Sequence, residues 1–333
     1  MPRICLCVIA RDEAPRIARL LDSVAGLVDE AVVADTGSHD ETAAIARACG
    51  ARVIEVPWTD DFARARNACL EAAAAHWHLV LDADEWLVQG GDWLADLRSG
   101  RVGGEFVGRV ELHNLDAGAR FIGAERLSRL LPGALRYAGR VHERPLHRLP
   151  LRDVPLRVMH DGYGAAAMAA KRGRNRALLR RATGEHPADA YLWYQLAKDC
   201  AVYEDHAEAL PAFARAAALL RDGMRPPWWP DLVLRWAYVL QQSGRLDEAL
   251  ALGESQSSAL AVYPDLPFVL GNVWLDMAVR KPANASAALA RARACWEQAL
   301  RIGEQPTLPY AVAGRGSDAP RHNLGLLAML DAT

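Results

Sequence analysis

At 333 residues and 51% hydrophobic content, the chain exceeds one typical core, so two folded domains are expected rather than a disordered polymer. The formal net charge of −2 lacks the basic excess that sequence-independent nucleic-acid binding needs, which argues against DNA or RNA as a partner. No apolar run approaches the roughly 18 residues that span a bilayer, and Cys5, Cys7, Cys49, Cys69, Cys200 and Cys295 show neither zinc spacing nor a dense disulfide framework. They read as reduced thiols. The N-terminus enters a strand at Ile4 without a basic leader or cleavage signal, so a cytoplasmic protein is expected.

The first half alternates strand and helix. A strand over 4–10 is apolar until it meets Arg11-Asp12-Glu13, and Ile17, Leu20, Leu21 and Val24 then recur at helical spacing. Pro15 is tolerated in a first turn, where its missing N–H removes no bond. A second strand over 30–35 closes on Thr36-Gly37-Ser38, and Asp40 can cap a helix that stops at Gly50. A third strand covers 52–56. Asp60 or Asp61 can cap an Ala-rich helix over 62–75, which returns the chain to His78-Leu79-Val80-Leu81-Asp82. Repeated βαβ of this kind implies a parallel sheet.

The fourth strand runs directly into Asp82-Ala83-Asp84-Glu85. Open α/β sheets bind ligands beyond the carboxyl ends of their strands, so these acids stand where a substrate docks. On extended backbone Asp82 and Asp84 would share a face and offer hard oxygen ligands to Mg²⁺ or Mn²⁺, an ion that neutralises a diphosphate. Taken alone, two acids after a strand read first as a strand-end turn.

From Gly104 the pattern changes to alternation, Phe106, Gly108, Val110 and Leu112 against Val107, Arg109 and Glu111, which predicts antiparallel strands added to the parallel set. Pro132-Gly133 marks a turn before a segment over 135–141, and His160-Asp161-Gly162-Tyr163-Gly164 marks a domain edge. Everything beyond reads helical. Trp193, Leu196, Ala197, Ala209, Phe213 and Ala216 fall at tetratricopeptide spacings, with further units at Trp236-Ala237 and Leu270-Gly271. The step from Ala197 to Ala237 exceeds the repeat period and holds Pro226-Pro227-Trp228-Trp229-Pro230. Such repeats stack antiparallel helices, small residues allowing close approach and Trp and Phe filling the gaps.

With these segments placed, the first half resembles inverting family 2 glycosyltransferases of the GT-A fold. Five ordered phrases within residues 4–164 carry the resemblance: Ala10-Arg11-Asp12-Glu13, Val33-Ala34-Asp35-Thr36-Gly37-Ser38, Asp61-Phe62-Ala63-Arg64-Ala65-Arg66-Asn67, Leu81-Asp82-Ala83-Asp84-Glu85 and Gly139-Arg140-Val141-His142-Glu143. It implies a Rossmann-like GT-A domain over 1–164 with a mixed, mostly parallel sheet, followed by an all-α tetratricopeptide-like domain over 165–333. That arrangement is similar to the bacterial branch that includes peptide S-glycosyltransferases.

Carried over by position, the resemblance places Asp35 on the nucleobase, Glu13 near the nucleoside, and Asp82 on ribose or metal. Asp84 would coordinate Mn²⁺ or Mg²⁺ directly, Arg66 would support the acids or phosphates, and His142 or His160 would be a late metal ligand. Glu143 is the candidate base that takes the acceptor's proton. The implied donor is a nucleotide sugar, a UDP-sugar first. Peptide, protein and small-molecule acceptors stay open, and the helical half would be an acceptor platform or a homo-oligomer interface. The rival is a repeat scaffold that binds nucleotide without turnover. A nucleotidyltransferase would bring a Gly-rich phosphate loop, which Val8-Ile9-Ala10-Arg11-Asp12 is not.

Three features have plain structural explanations. His76 and His78 flank Trp77 before a strand and receive no function. The basic run Lys171, Arg172, Arg174, Arg176, Arg180 and Arg181 is a solvated helix face before it is an acceptor site. Trp228 and Trp229, on their Pro-rich connection, are recognition candidates for which packing is still preferred.

Overall fold

The computed structural model describes residues 1–161, 173–221 and 223–331, and the chain divides into two compact units between Leu178 and Leu179. The expected domain edge at 164–165, with Gly162, Tyr163 and Gly164, lies outside the described residues.

In the first unit, β1 (Ile4–Ala10), α1 (Ile17–Ser23), β2 (Glu30–Asp35), α2 (Thr42–Ala48), β3 (Arg52–Glu55), α3 (Phe62–Ala73) and β4 (Trp77–Asp82) form the βαβ array. There follow β5 (Glu85–Gln89), α4 (Gly91–Arg98), β6 (Val107–Leu115), β7 (Phe121–Pro132), β8 (Tyr137–Ala138), β9 (Arg144–Pro145) and β10 (Leu151–His160). Eight strands make one mixed sheet in the order β3-β2-β1-β4-β7-β6-β10-β5. The first four are mutually parallel, β7 runs antiparallel to β4 and β6, β10 is parallel to β6, and β5 closes the edge antiparallel to β10.

The apolar runs are continuous because both sheet faces are covered. Ile4, Leu6 and Val8 of β1 pack with Leu20 of α1 and Leu94 of α4, while Cys5 and Cys7 face Cys69 and Leu70 of α3. Asp61 caps α3, its side chain accepting from the Arg64 N–H, and the helix ends where Ala74 turns left-handed. The β5–α4 segment was not among the predicted elements. Its strand starts immediately after the acid turn, and Gly90, at φ +106°, turns the chain into α4 where an added Cβ would stand 2.4 Å from the Pro155 carbonyl.

The second unit is helical. Helix α5 (Arg174–Glu185) spans the division, and α6 (Ala190–Val202), α7 (His206–Ala218), α8 (Trp229–Gln242), α9 (Leu246–Gln256), α10 (Asp265–Arg280), α11 (Ala285–Ile302) and α12 (Asp318–Asp331) follow. Ala197, Ala209, Ala216, Ala237, Ala249 and Ala299 are fully buried where neighbours approach. At Gly271 a Cβ would meet Trp296 Nε1 at 2.4 Å, so this glycine admits the indole. Trp228 and Trp229 are buried, Trp228 stacking on Tyr194 with centroids 4.7 Å apart. In the basic run, Lys171 and Arg172 lie outside the described residues, Arg180 pairs with Glu208 at 2.6 Å and Arg181 with Glu185 at 3.1 Å. Among the described residues no helix is long and apolar enough to cross a membrane.

Candidate active site

The carboxyl ends of β1, β2 and β4 lie side by side, with Ala10 level with Asp35 and Ile9 level with Asp82. Asp35 Oδ1 accepts from the Gly37 and Ser38 N–H groups at 3.1 and 2.8 Å, an Asx turn that ends β2. The Asp12 N–H donates to Ser38 Oγ at 3.0 Å and its Oδ1 accepts from the His39 N–H at 2.7 Å, joining the two loops. The Glu13 N–H donates to Thr42 Oγ1 at 2.7 Å, and its carboxylate accepts from Arg16 at 3.1 Å. Asp35 and Glu13 thus stand on adjacent strand ends.

β4 stops at Asp82, and Ala83-Asp84 form a turn rather than extended backbone. The two acids are therefore not related by the pleat, and their carboxylates meet different partners. Asp82 accepts from Arg66 Nη2 and from Arg129 Nη2, each at 2.7 Å. Arg66 also donates from Nε to Glu143 at 2.5 Å, and Arg129 pairs with Glu85. The Arg66 and Glu143 side chains are 7% and 10% exposed and Asp82 is 34% exposed, so the ion cluster is buried at Glu143 and opens to water at Asp82. Removing one member from such a cluster leaves an uncompensated buried charge.

The cluster sorts its acids by environment. Burial raises the Asp82 carboxyl, but Arg129 and Arg66 overcome it and hold the group well below the usual carboxylate range. Glu85, 2% exposed, is pushed up to about 7 by burial first, with Arg129 opposing and Asp82 reinforcing the rise. Its Oε2 accepts from the Asp82 N–H at 3.0 Å and so closes the turn. Burial also pushes Tyr137 up to about 12. Asn67, one residue beyond Arg66, exchanges two hydrogen bonds with the Tyr137 backbone at 2.8 and 2.9 Å, which ties β8 to α3. A surface hollow of about 450 Å³ opens here, lined by Asp61, Arg64, Asn67, Glu71, Tyr137 and Gly139.

Asp84 faces His160, with Oδ2 and Nε2 3.4 Å apart. The pairing follows from β5: His160 ends β10 level with Glu85, which sets its ring beside the residue that precedes the strand. His142 occupies a different place, an exposed turn at φ +52° next to Glu143. Among the described residues no three or more His, Cys, Asp or Glu side chains are grouped to hold a metal ion. One carboxylate and one imidazole nevertheless fit a divalent ion whose other positions are filled by phosphate oxygens and water, the usual way Mg²⁺ is bound with phosphates.

No sequence motif singles out Arg129 or Asn114 as site residues, and Glu85 enters the Asp82-Ala83-Asp84-Glu85 phrase without a role. Arg129 left a signal, as the one charge in the stretch Leu127 to Pro132, which is apolar apart from Ser128. Asn114 left none, because its importance depends on pairing between β6 and β10.

Residues 5–97 match the profile of glycosyl transferase family 2. The first unit carries a family 2 glycosyl transferase domain. The matched part of this domain holds Glu13, Asp35, Arg66, Asp82 and Asp84 and ends before Arg129, Glu143 and His160. A TPR repeat-containing protein of Synechococcus elongatus is 34% identical over 268 residues, 75% of this chain and 64% of that protein. The SPbeta prophage-derived glycosyltransferase SunS of Bacillus subtilis is 31% identical over 180 residues, 49% of this chain and 40% of SunS. The chain therefore spans less than two thirds of either relative. A crystal structure of glucosyl-3-phosphoglycerate synthase from Mycobacterium tuberculosis with Mn²⁺, uridine-diphosphate and glucosyl-3-phosphoglycerate is 26% identical over 35% of this chain and 45% of that chain. Its TM-score is 0.27, too low to carry a ligand position across.

Proposed function

We propose that the protein is a metal-dependent glycosyltransferase that moves a sugar from a nucleotide diphosphate donor, a UDP-sugar first, to a hydroxyl or thiol acceptor with inversion. The observation that carries this reading is the convergence, at the strand ends of a family 2 domain, of the Asp84–His160 pair with the arginine-held Asp82 and Glu143. Asp84 and His160 would hold Mn²⁺ or Mg²⁺. When bound, that ion supplies positive charge to the departing diphosphate, where stabilisation lowers the barrier.

The protein's own residues do the rest. Asp35 and Glu13 receive the nucleoside on the β1 and β2 ends. Asp82, fixed by Arg66 and Arg129, presents its carboxylate to the ribose side. The acceptor O–H or S–H attacks the anomeric carbon from the face opposite the diphosphate, the sugar–phosphate bond breaks, and the acceptor's proton passes to Glu143. Catalysis resides in residues 1–164, and the helices of 165–333 present the acceptor, a peptide or protein before a small molecule. A cytoplasmic setting belongs to the same reading and rests on the thiols Cys5, Cys7 and Cys69, buried without disulfides.

Thermal unfolding across nucleotides and nucleotide sugars, each with and without Mn²⁺, tests the donor and the metal together, because a ligand of the native state raises its midpoint. A Mn²⁺-dependent rise with UDP-sugars, joined by release of UDP when acceptor is added, is the expected result. A rise with nucleotide but no sugar turnover on any acceptor tried would leave the scaffold reading in its place.

A further inference from the structure

We infer that Glu125 and Asn114 form a relay that fixes which ring nitrogen of His160 faces Asp84, and that both are positioning residues for a divalent cation. The inference rests on the reading of Asp84 and His160 as metal ligands and extends it to two residues with no assigned role.

Asn114 on β6 pairs with His160 on β10, so the two side chains lie side by side at the sheet's end. The Asn114 amide donates from Nδ2 to Glu125 Oε1 at 3.2 Å. An ionised carboxylate only accepts, so the amide is oriented with its NH₂ end toward Glu125. Its oxygen is then the atom 2.9 Å from His160 Nδ1. An amide oxygen cannot donate, and Nδ1 must therefore carry the hydrogen. In the neutral ring the lone pair is left on Nε2. That lone pair looks across 3.4 Å at Asp84 Oδ2. A carboxylate oxygen and an imidazole nitrogen at that separation both reach one divalent cation, and with a proton on Nε2 in its place the same two groups form an ion pair.

The relay also explains why an asparagine serves here. Leucine would remove the acceptor that keeps the hydrogen on Nδ1, and the hydrogen could then sit on Nε2, where it would block coordination. Partners of this kind on ligating histidines are worth about 10- to 100-fold in metal affinity.

The test is calorimetric titration of the full chain with Mn²⁺, alone and with saturating UDP, on four proteins: the parent, His160→Gln, Asn114→Leu, and Asn114→Asp combined with Glu125→Gln. The last exchange keeps an acceptor against Nδ1 and puts an amide donor behind it. Expected are Mn²⁺ affinities about 10- to 100-fold weaker for Asn114→Leu and at least as weak for His160→Gln, with the exchanged pair restored to near the parent. Undiminished binding by Asn114→Leu together with a loss in His160→Gln would overturn the relay and leave the ligand reading intact. Undiminished binding by His160→Gln, or no Mn²⁺ binding by the parent in either arm, would overturn both. Should Asn114→Leu fail to fold, the exchanged pair decides alone: affinity near the parent supports the relay, and a loss matching His160→Gln ends it.

Discussion

Arg66 holds Glu143 from Nε at 2.5 Å and, with the same guanidinium, holds Asp82 from Nη2 at 2.7 Å. One buried cation thus spans an acid at the end of β4 and an acid that follows β8, although the two lie 61 residues apart in sequence. Burial alone would weaken this guanidinium's charge, and the two carboxylates more than restore it. Arg66→Met should therefore cost about 3–5 kcal/mol of folding stability, because it takes the cation away from the buried Glu143 carboxylate and leaves Asp82 with Arg129. Arg66→Lys should fall between, since an ammonium lacks the planar fork that reaches both acids. Urea unfolding of the three proteins gives the order. Equal stability of Arg66→Met and the parent would show that the cluster contributes nothing to the fold.

Glu143→Gln keeps the side-chain shape and an oxygen for Arg66 but cannot take a proton. If Glu143 is the base, turnover should fall by about 10²- to 10⁴-fold while donor affinity stays within a few-fold of the parent. Steady-state kinetics beside calorimetric donor titration separate the two effects. Equal losses in turnover and donor affinity would reassign Glu143 to holding Arg66 and Asp82 in place.

How far this site was legible follows from the range of the interactions that build it. Strand β1, strand β4 and the Asp61 cap are local patterns, an apolar run or a side chain bonding three residues on, and the sequence displays them directly. The β5 edge is not local: five residues following a turn find their partner in β10, some 70 residues later. That pairing distinguishes His160 from His142, and no spacing in the sequence encodes it. The Arg129 pair of Asp82 was hidden for the same reason, since Arg129 comes from a strand well after the acid, whereas Arg66 was placed beside the acids by the resemblance and not by any spacing. The helical half was legible as buried Ala positions, and at its first junction the preferred packing of Trp228 is what the structure has, although its partner Tyr194 was not foreseen.

Asp84→Asn tests the metal reading with little structural cost. The side chain lies in a turn, 15% exposed, and its main-chain carbonyl, which accepts from the Asp161 N–H, is unchanged by the substitution. The unfolding midpoint should stay within a few degrees of the parent, whereas Mn²⁺-dependent transfer should drop by about 10²-fold or more, the scale of losing one pre-set electrostatic contact to developing charge. Parent-like transfer by the folded variant would remove Asp84 from the metal site.

Stability toward acid should depend on His78. It is 1% exposed on β4, and burial together with the positive charge of Arg136 holds its ring down to about 4. Its Nε2 accepts from the Ala75 N–H at 3.4 Å, a bond open only to the neutral form. An unfolded histidine titrates near pH 6.5. Between about 6.5 and 4 the unfolded chain therefore binds a proton that the native protein refuses. The contribution is full above 6.5 and is lost as pH falls through that window, by up to about 3 kcal/mol. Asp82 acts in a lower window, because its stabilisation is full above the unfolded carboxyl value of about 3.9 and is lost only below it, as pH falls toward the depressed folded value. Urea unfolding at pH 7.5 and 4.5 should show the parent losing most of those 3 kcal/mol and His78→Gln losing much less. If both proteins weaken equally over that interval, the acid sensitivity arises from other groups and His78 is not its source.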